Sequence, residues 1–228
     1  MLSVDAASVL YTDDKGRRFR LPKGDASFDK PGPLGWGRLD REVSTERDLF
    51  NCHGTFYELP AENAGGFARV RPVATHNRHI TDYCSYRGLL VISGITTAAP
   101  AQNPHIIRST DGRASLWVGA IDDIWDFGKP VGTGGPWKDS AVVAGKPSDP
   151  FLMTGYDHKK LTLSARDKTT VRAEVDITGA GNWVTWKTFA LPGKDTPTDY
   201  EFPPHFHACW VRFVSTTDTT ATAQLCYE

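Results

Sequence analysis

The groups able to do chemistry gather in two short stretches: His53, and the run His76-Asn77-Arg78-His79-Ile80-Thr81-Asp82-Tyr83 with Arg87 just beyond it. Imidazoles near a carboxylate can take or give a proton, and a guanidinium can stabilise developing negative charge. His53, His76, Arg78, His79, Asp82, Tyr83 and Arg87 are therefore the expected catalytic residues, and the chemistry expected of them is that of a carbohydrate-active hydrolase or lyase. A glycoside hydrolase would call for two carboxylates facing one cleft. A polysaccharide lyase would favour His, Tyr and Arg, which the stretch from Thr75 to Arg87 contains. The competing account is structural: His53 caps a turn before Gly54, and Asn77, Arg78 and Asp82 bond to backbone in an irregular connection.

Metal ligation is the next possibility. In His205-Phe206-His207 an extended strand would point both imidazoles the same way, offering two neutral nitrogens to Zn, Cu or Mn, with His158 as a guess for a third ligand. Two ligands do not close a transition-metal site, so the rival account is a surface pair following Pro203-Pro204. Asp122 and Asp123, with Asp126, could offer oxygens to Ca²⁺, although their spacing is not that of an EF-hand loop and Asp at a strand edge is ordinary turn chemistry. A divalent cation, Ca or Zn, is the cofactor these groups allow, and with it a lactonase-type hydrolase acting on a small-molecule ring ester. No GxSxG, Walker loop or GxGxxG is present, which argues against a serine hydrolase or a nucleotide enzyme. Trp36, Trp117, Trp125, Trp137, Trp183, Trp186 and Trp210 are too many for all to be buried, and an exposed one beside polar loops can stack on a sugar ring. Trp183 and Trp186, three apart on one strand, should face opposite ways. A non-catalytic carbohydrate-binding or assembly module is thus the second function class.

The elements that must position these groups are strands. No window of twelve or more residues keeps a helical apolar period, whereas β-branched and aromatic residues alternate between Gly, Pro, Asn and Asp clusters. Val9–Thr12 and Arg18–Leu21 read as a hairpin around Asp13-Asp14-Lys15-Gly16. Pro22 to Arg41, with Pro31, Gly32, Pro33, Gly35 and Gly37 around Trp36, reads as a long ordered connector. Strand-like blocks follow at Gly54–Leu59, Phe67–Pro72, Gly88–Ile95 and Ser115–Ile121, before a Gly/Pro-rich passage from Lys129 to Trp137. Leu161–Ser164, Thr170–Ile177, Trp183–Ala190, His207–Val214 and Ala221–Tyr227 are spaced like the strands of a sandwich. The expected fold is therefore all-β: partial propeller-like or stacked antiparallel sheets over residues 1–135, then a β-sandwich over residues 136–228.

Composition bounds the partners. The 228 residues are 39% hydrophobic, enough for a core without staples, and 26 Lys plus Arg against 27 Asp plus Glu leave a net charge of −1. That balance lacks the basic footprint of a nucleic-acid binder, and no basic amphipathic stripe marks a membrane surface. The N-terminus reads without a signal peptide and the longest apolar run, Leu89 to Ile92, is too short to span a bilayer, so a cytoplasmic setting is expected for the chain as it stands, an exported parent protein being compatible with it. Cys52, Cys84, Cys209 and Cys226 have no CxxC spacing. Pairing the last two strands as a hairpin, Val211 facing Leu225, sends Cys209 and Cys226 to opposite faces, so free thiols are expected.

The stretches Glu46–Pro60, Gly65–Gly94, Ser115–Asp139 and Ser148–Ser164 (ERDLFNCHGTFYELP, GGFARVRPVATHNRHITDYCSYRGLLVISG, SLWVGAIDDIWDFGKPVGTGGPWKD and SDPFLMTGYDHKKLTLS), together with the ending CWVRFVSTTDTTATAQLCYE, resemble the C-terminal part of a largely uncharacterised family of bacterial β-propeller proteins. The resemblance runs over nearly the whole chain and concerns the scaffold. It implies a few last blades followed by a closing sandwich, and carbohydrate as the partner. Incomplete blades would expose sheet edges that pair with another copy, so a homo-oligomer is expected.

Overall fold

The computed structural model describes residues 1–32, 35–44, 47–96 and 102–228; Pro33 of the connector and Glu46, which opens the first of the compared stretches, lie outside the described residues. The chain is all-β and divides into two compact units, Met1–Lys23 with Val131–Glu228, and Gly24–Pro130.

In chain order the strands are β1 (Leu2–Val4), β2 (Val9–Thr12) and β3 (Arg18–Leu21) in the first unit; β4 (Leu39–Ser44), β5 (Arg47–Cys52), β6 (Thr55–Leu59), β7 (Arg71–Thr75), β8 (Tyr83–Tyr86), β9 (Leu89–Ile92), β10 (Ile106–Arg108) and β11 (Ser115–Gly119) in the second; then β12 (Gly132–Val142), β13 (Phe151–Leu152), β14 (Lys159–Ala165), β15 (Thr169–Asp176), β16 (Trp183–Leu191), β17 (Thr198–Glu201), β18 (Trp210–Ser215) and β19 (Thr219–Tyr227), again in the first.

The Gly24–Pro130 unit holds two four-stranded antiparallel sheets, β4-β5-β6-β7 in chain order and β8-β9-β11-β10. Their inward residues share one core of Leu49, Phe56, Val73, Leu90, Ile92 and Trp117, sealed by Ile124 from the 3₁₀ helix Ile121–Phe127. The stretch Phe67–Pro72, expected as a strand, is split: Gly66–Arg69 is a 3₁₀ turn, and the strand that pairs with β6 begins at Arg71.

The other unit is a sandwich of a seven-stranded sheet, β1-β2-β3-β13-β18-β15-β16, and a four-stranded sheet, β12-β19-β14-β17. Val171, Ala173, Val175 and Phe213 of one sheet and Leu161, Leu163, Ala223 and Leu225 of the other are buried between them. Three expectations are corrected here. The N-terminal hairpin belongs to the sandwich: Val9 and Leu21 are fully buried, β3 pairs in parallel with β13, and Arg18 and Arg20 both reach Asp149. The Gly/Pro-rich passage from Lys129 to Trp137, expected to separate the two parts, is largely strand, because β12 runs through Gly132 to Val142 at the sheet edge, with register shifts between Gly134 and Trp137 that accommodate Pro136. Gly135 must be glycine, since a Cβ there would lie 1.9 Å from the Ala223 carbonyl oxygen. Finally, β18 and β19 do not pair with each other. Thr216–Asp218 carry the chain from one sheet to the other, β18 pairing with β13 and β15, and β19 with β12 and β14.

All four cysteines are free thiols, and burial pushes that of Cys52 up to about 12. Among the described residues, no helix is long and apolar enough to cross a membrane.

Candidate functional site

The β5–β6 hairpin closes on the two-residue turn His53-Gly54, both with left-handed φ (51° and 79°). That turn is clasped by the segment starting at Gly24, where a side chain would collide with the His53 carbonyl oxygen at 2.5 Å. The Gly24 N–H donates to His53 Nδ1 at 3.0 Å, so Nε2 carries the ring hydrogen and donates to Asp29 Oδ1 at 3.1 Å. Both nitrogens of this buried imidazole are used in holding two segments together.

His76 follows β7, and its backbone N–H and that of Asn77 donate to the Gly54 carbonyl. The His76 Nδ1 accepts from the Arg78 N–H at 2.9 Å, which leaves Nε2 to donate to Asn51 Oδ1 at 3.0 Å. The Asn51 amide donates in turn to the Gly37 carbonyl. The ring rests 4.7 Å from that of Phe56. Burial, helped by the Arg78 and His79 charges, drives its pKa down to about 3. His76 is neutral, and both its nitrogens are engaged.

What these bonds build is the rim of a cleft of about 630 Å³, within the range of about 300–1,000 Å³ usual for small-ligand sites. Ile92, Ile106, Trp117 and Phe127 form an apolar floor, Trp117 and Phe127 meeting edge to face at 5.1 Å. Above it stand the exposed Arg78 and His79 with Asn103. Among the described residues, the Arg78 guanidinium has no ion pair, and no carboxylate lines the cleft. His79 is braced from behind by Phe28, the rings stacked at 4.5 Å.

Of the seven residues expected to be catalytic, the cleft thus brings together His76, Arg78 and His79. Asp82 lies elsewhere: it is exposed, pairs with Arg41 at 3.2 Å and accepts from its neighbour Tyr83 N–H. The Tyr83 hydroxyl is buried 2.9 Å from the Leu39 carbonyl oxygen and 2.5 Å from that of Leu49, stitching β4 to β5. Burial, with the charge of Asp40 adding to it, holds that phenol above its usual range. Arg87, with left-handed φ, is the first residue of the two-residue β8–β9 turn, its guanidinium 5.4 Å from the Tyr86 ring centre.

The metal candidates do not converge. His205 and His207 sit in a turn rather than on a strand, because the Phe206 N–H closes back onto the Pro203 carbonyl and His205 adopts φ 63°. Phe206 between them packs on Trp186 at 4.2 Å. His158 is exposed and bonds to Glu228 through its backbone. Asp122 pairs with Arg47 at 2.9 Å, and Asp123 accepts from the Ala120 N–H at the start of the 3₁₀ helix. Among the described residues, no group of three or more His, Cys, Asp or Glu could hold a metal ion.

The tryptophans divide as well. Trp117, Trp137 and Trp210 are buried, while Trp36, Trp125 and Trp186 are exposed. Trp183 and Trp186 do face opposite ways, the first under the Arg212 guanidinium at 4.2 Å and the second against Phe206 and the Tyr200 hydroxyl. The floor residues Ile92 and Ile106 and the bridging Asn51 carried no chemical signal in the sequence; only their place in strands beside the histidine run could have pointed to them.

No protein-family model matches the chain, and no curated protein matches it.

Proposed function

We propose that the Gly24–Pro130 unit binds carbohydrate, and that the cleft bordered by Arg78 and His79 is where a sugar ring sits. The observation that carries this reading is the pairing of an apolar, aromatic floor with hydrogen-bonding groups confined to the rim. A sugar ring has the same division, apolar C–H faces and polar edges. Arg78, His79 and Asn103 supply donors, and among the described residues Arg78 has no salt bridge to be broken first.

A binding role fits better than a catalytic one. His53, His76 and Tyr83 hydrogen-bond to groups that hold strands and turns, and among the described residues no carboxylate pair faces the cleft. A lyase is the second reading, favoured by one observation: His79 and Arg78 stand side by side on the same rim, where a base and a carboxylate-neutralising cation would be needed. Kinship with the propeller family is likewise a proposal, supported by the two four-stranded antiparallel sheets of this unit.

The test is calorimetric titration of the whole chain with neutral and acidic oligosaccharides, run alongside an ultraviolet assay for the unsaturated ends a lyase creates. Saturable binding without new ultraviolet absorbance, weakened about tenfold or more by Arg78→Ala, supports the binding role. Absorbance growing with time would replace it by the lyase. An absence of binding to every sugar would remove both.

A further inference from the structure

His79 and Ile80 have a second cleft on their other side, of about 250 Å³, walled by Phe28 and Trp36 and bordered by Lys30. The two clefts therefore share one ridge. They also share a composition. Each has an aromatic lining, half-buried Phe127 with buried Trp117 in one and exposed Trp36 with buried Phe28 in the other, and each has one exposed cation with no ion pair among the described residues, Arg78 and Lys30. Among the described residues, neither is lined by Asp or Glu. Trp36 is 42% exposed, with the Arg38 guanidinium 4.3 Å from its ring centre.

Of the carboxylates nearest in the chain, Asp82 is paired with Arg41, whereas Asp29 accepts from His53 and Asp25 from the Ser27 N–H, bonds that leave both charged, and Asp25 also interacts with His79. In a chain whose net charge is −1, two adjoining clefts that each have an exposed cation and, among the described residues, no acid in the lining suit an anionic ligand. The smaller volume is below that of an independent small-ligand site but suits a further ring attached to an occupant of the larger one.

We propose that the two clefts are successive subsites of one groove for an acidic oligosaccharide, a chain of uronate residues whose carboxylates are taken by Arg78 on one side of the His79 ridge and by Lys30 on the other. This rests on the carbohydrate-binding reading and specifies its ligand. Arg78 offers the planar, two-pronged match to a carboxylate, Lys30 a point charge, and Trp36 a stacking surface for the second ring.

The experiment is calorimetric titration of the whole chain with galacturonate and mannuronate monomers, with the tetramers of each, and with the uncharged cellotetraose and xylotetraose. At least one acidic tetramer should bind about tenfold or more tighter than both its monomer and the neutral tetramers, and lose affinity as salt is raised. Lys30→Ala and Trp36→Ala should each shrink the tetramer's advantage over the monomer to less than about threefold. Neutral tetramers binding as well as acidic ones would overturn the acidic ligand yet leave the sugar cleft standing. Equal affinity for monomer and tetramer, or a tetramer advantage untouched by both variants, would overturn the second subsite. A chain that binds no sugar of the series would overturn the carbohydrate reading itself.

Discussion

His53 and Asp29 are joined by a hydrogen bond of 3.1 Å between Nε2 and Oδ1, and because the Gly24 N–H occupies Nδ1, the pair has the look of a catalytic dyad without a nitrogen left for substrate. The expected consequence is structural. His53→Ala should lower unfolding free energy by about 1–3 kcal/mol, as the loss of a buried, doubly bonded group does. Asp29→Ala should cost less, since Asp29 is half-exposed and water can replace it. Chemical denaturation of both variants checks the order; a His53→Ala protein as stable as wild type would contradict it.

His76 ties stability to pH. Its imidazole is held neutral down to about 3, whereas an unfolded histidine takes up a proton near pH 6.5. Over that window the unfolded chain binds the extra proton, so stability falls as pH drops from about 6.5 toward about 3. In His76→Gln that component is missing. Urea midpoints measured at about pH 7 and about pH 5 should fall more steeply for wild type than for the variant, and parallel slopes would contradict the assignment.

Glu174 is the corresponding group of the sandwich. It is buried on β15, where burial alone would raise its pKa, but the guanidiniums of Arg172 and Arg212, each 2.7 Å away, outweigh that and lower it. A lowered carboxylate pKa stabilises the fold above the ordinary glutamate range, near 4.3, and the contribution is lost as pH falls through the native value. Glu174→Gln should cost about 1–3 kcal/mol at neutral pH and flatten the acid limb of a thermal-stability profile.

Metal should be dispensable. His205 and His207 flank Phe206 in an exposed turn, and Asp122 and Asp123 are spoken for by Arg47 and the Ala120 N–H. Protein purified without a histidine tag should contain less than about 0.1 equivalent of any divalent ion, since a site built for a metal retains it. A melting temperature lowered by EDTA and restored by Ca²⁺ or Zn²⁺ would contradict this.

Much of the fold was legible because strand signals are local. The β2–β3 hairpin is written in Asp13-Asp14-Lys15-Gly16, and the alternation of Val171, Ala173 and Val175 is enough to place β15. Hidden features depend on partners remote in sequence. Gly132, Gly134, Gly135 and Pro136 look like a connector until β19 lies beside them, when the glycines prove to be what lets a bulged edge strand approach the Ala223 carbonyl. Alternation likewise cannot say that β18 and β19 belong to facing sheets rather than to one hairpin. The site was half legible for the same reason. His76, Arg78 and His79 stay together because four residues of chain hold them so, whereas the role of His53 is decided by Gly24 and Asp29, and Tyr83 turns inward to the carbonyls of β4 and β5.

The proposed ligand site is the cleft between the Arg78–His79 rim and the Trp117–Phe127 floor. The most direct measurement is amide and indole ¹H–¹⁵N NMR of the whole chain titrated with an acidic tetrasaccharide. Binding in this cleft should give saturable shifts concentrated at His76–Ile80, Ile92–Ile95 and Asn103, together with the Trp117 indole. Shifts on the outer face of the other unit, at Thr162, Asp199 and Gln224 where a shallow groove of about 570 Å³ crosses the four-stranded sheet, with none at Arg78 or His79, would contradict it.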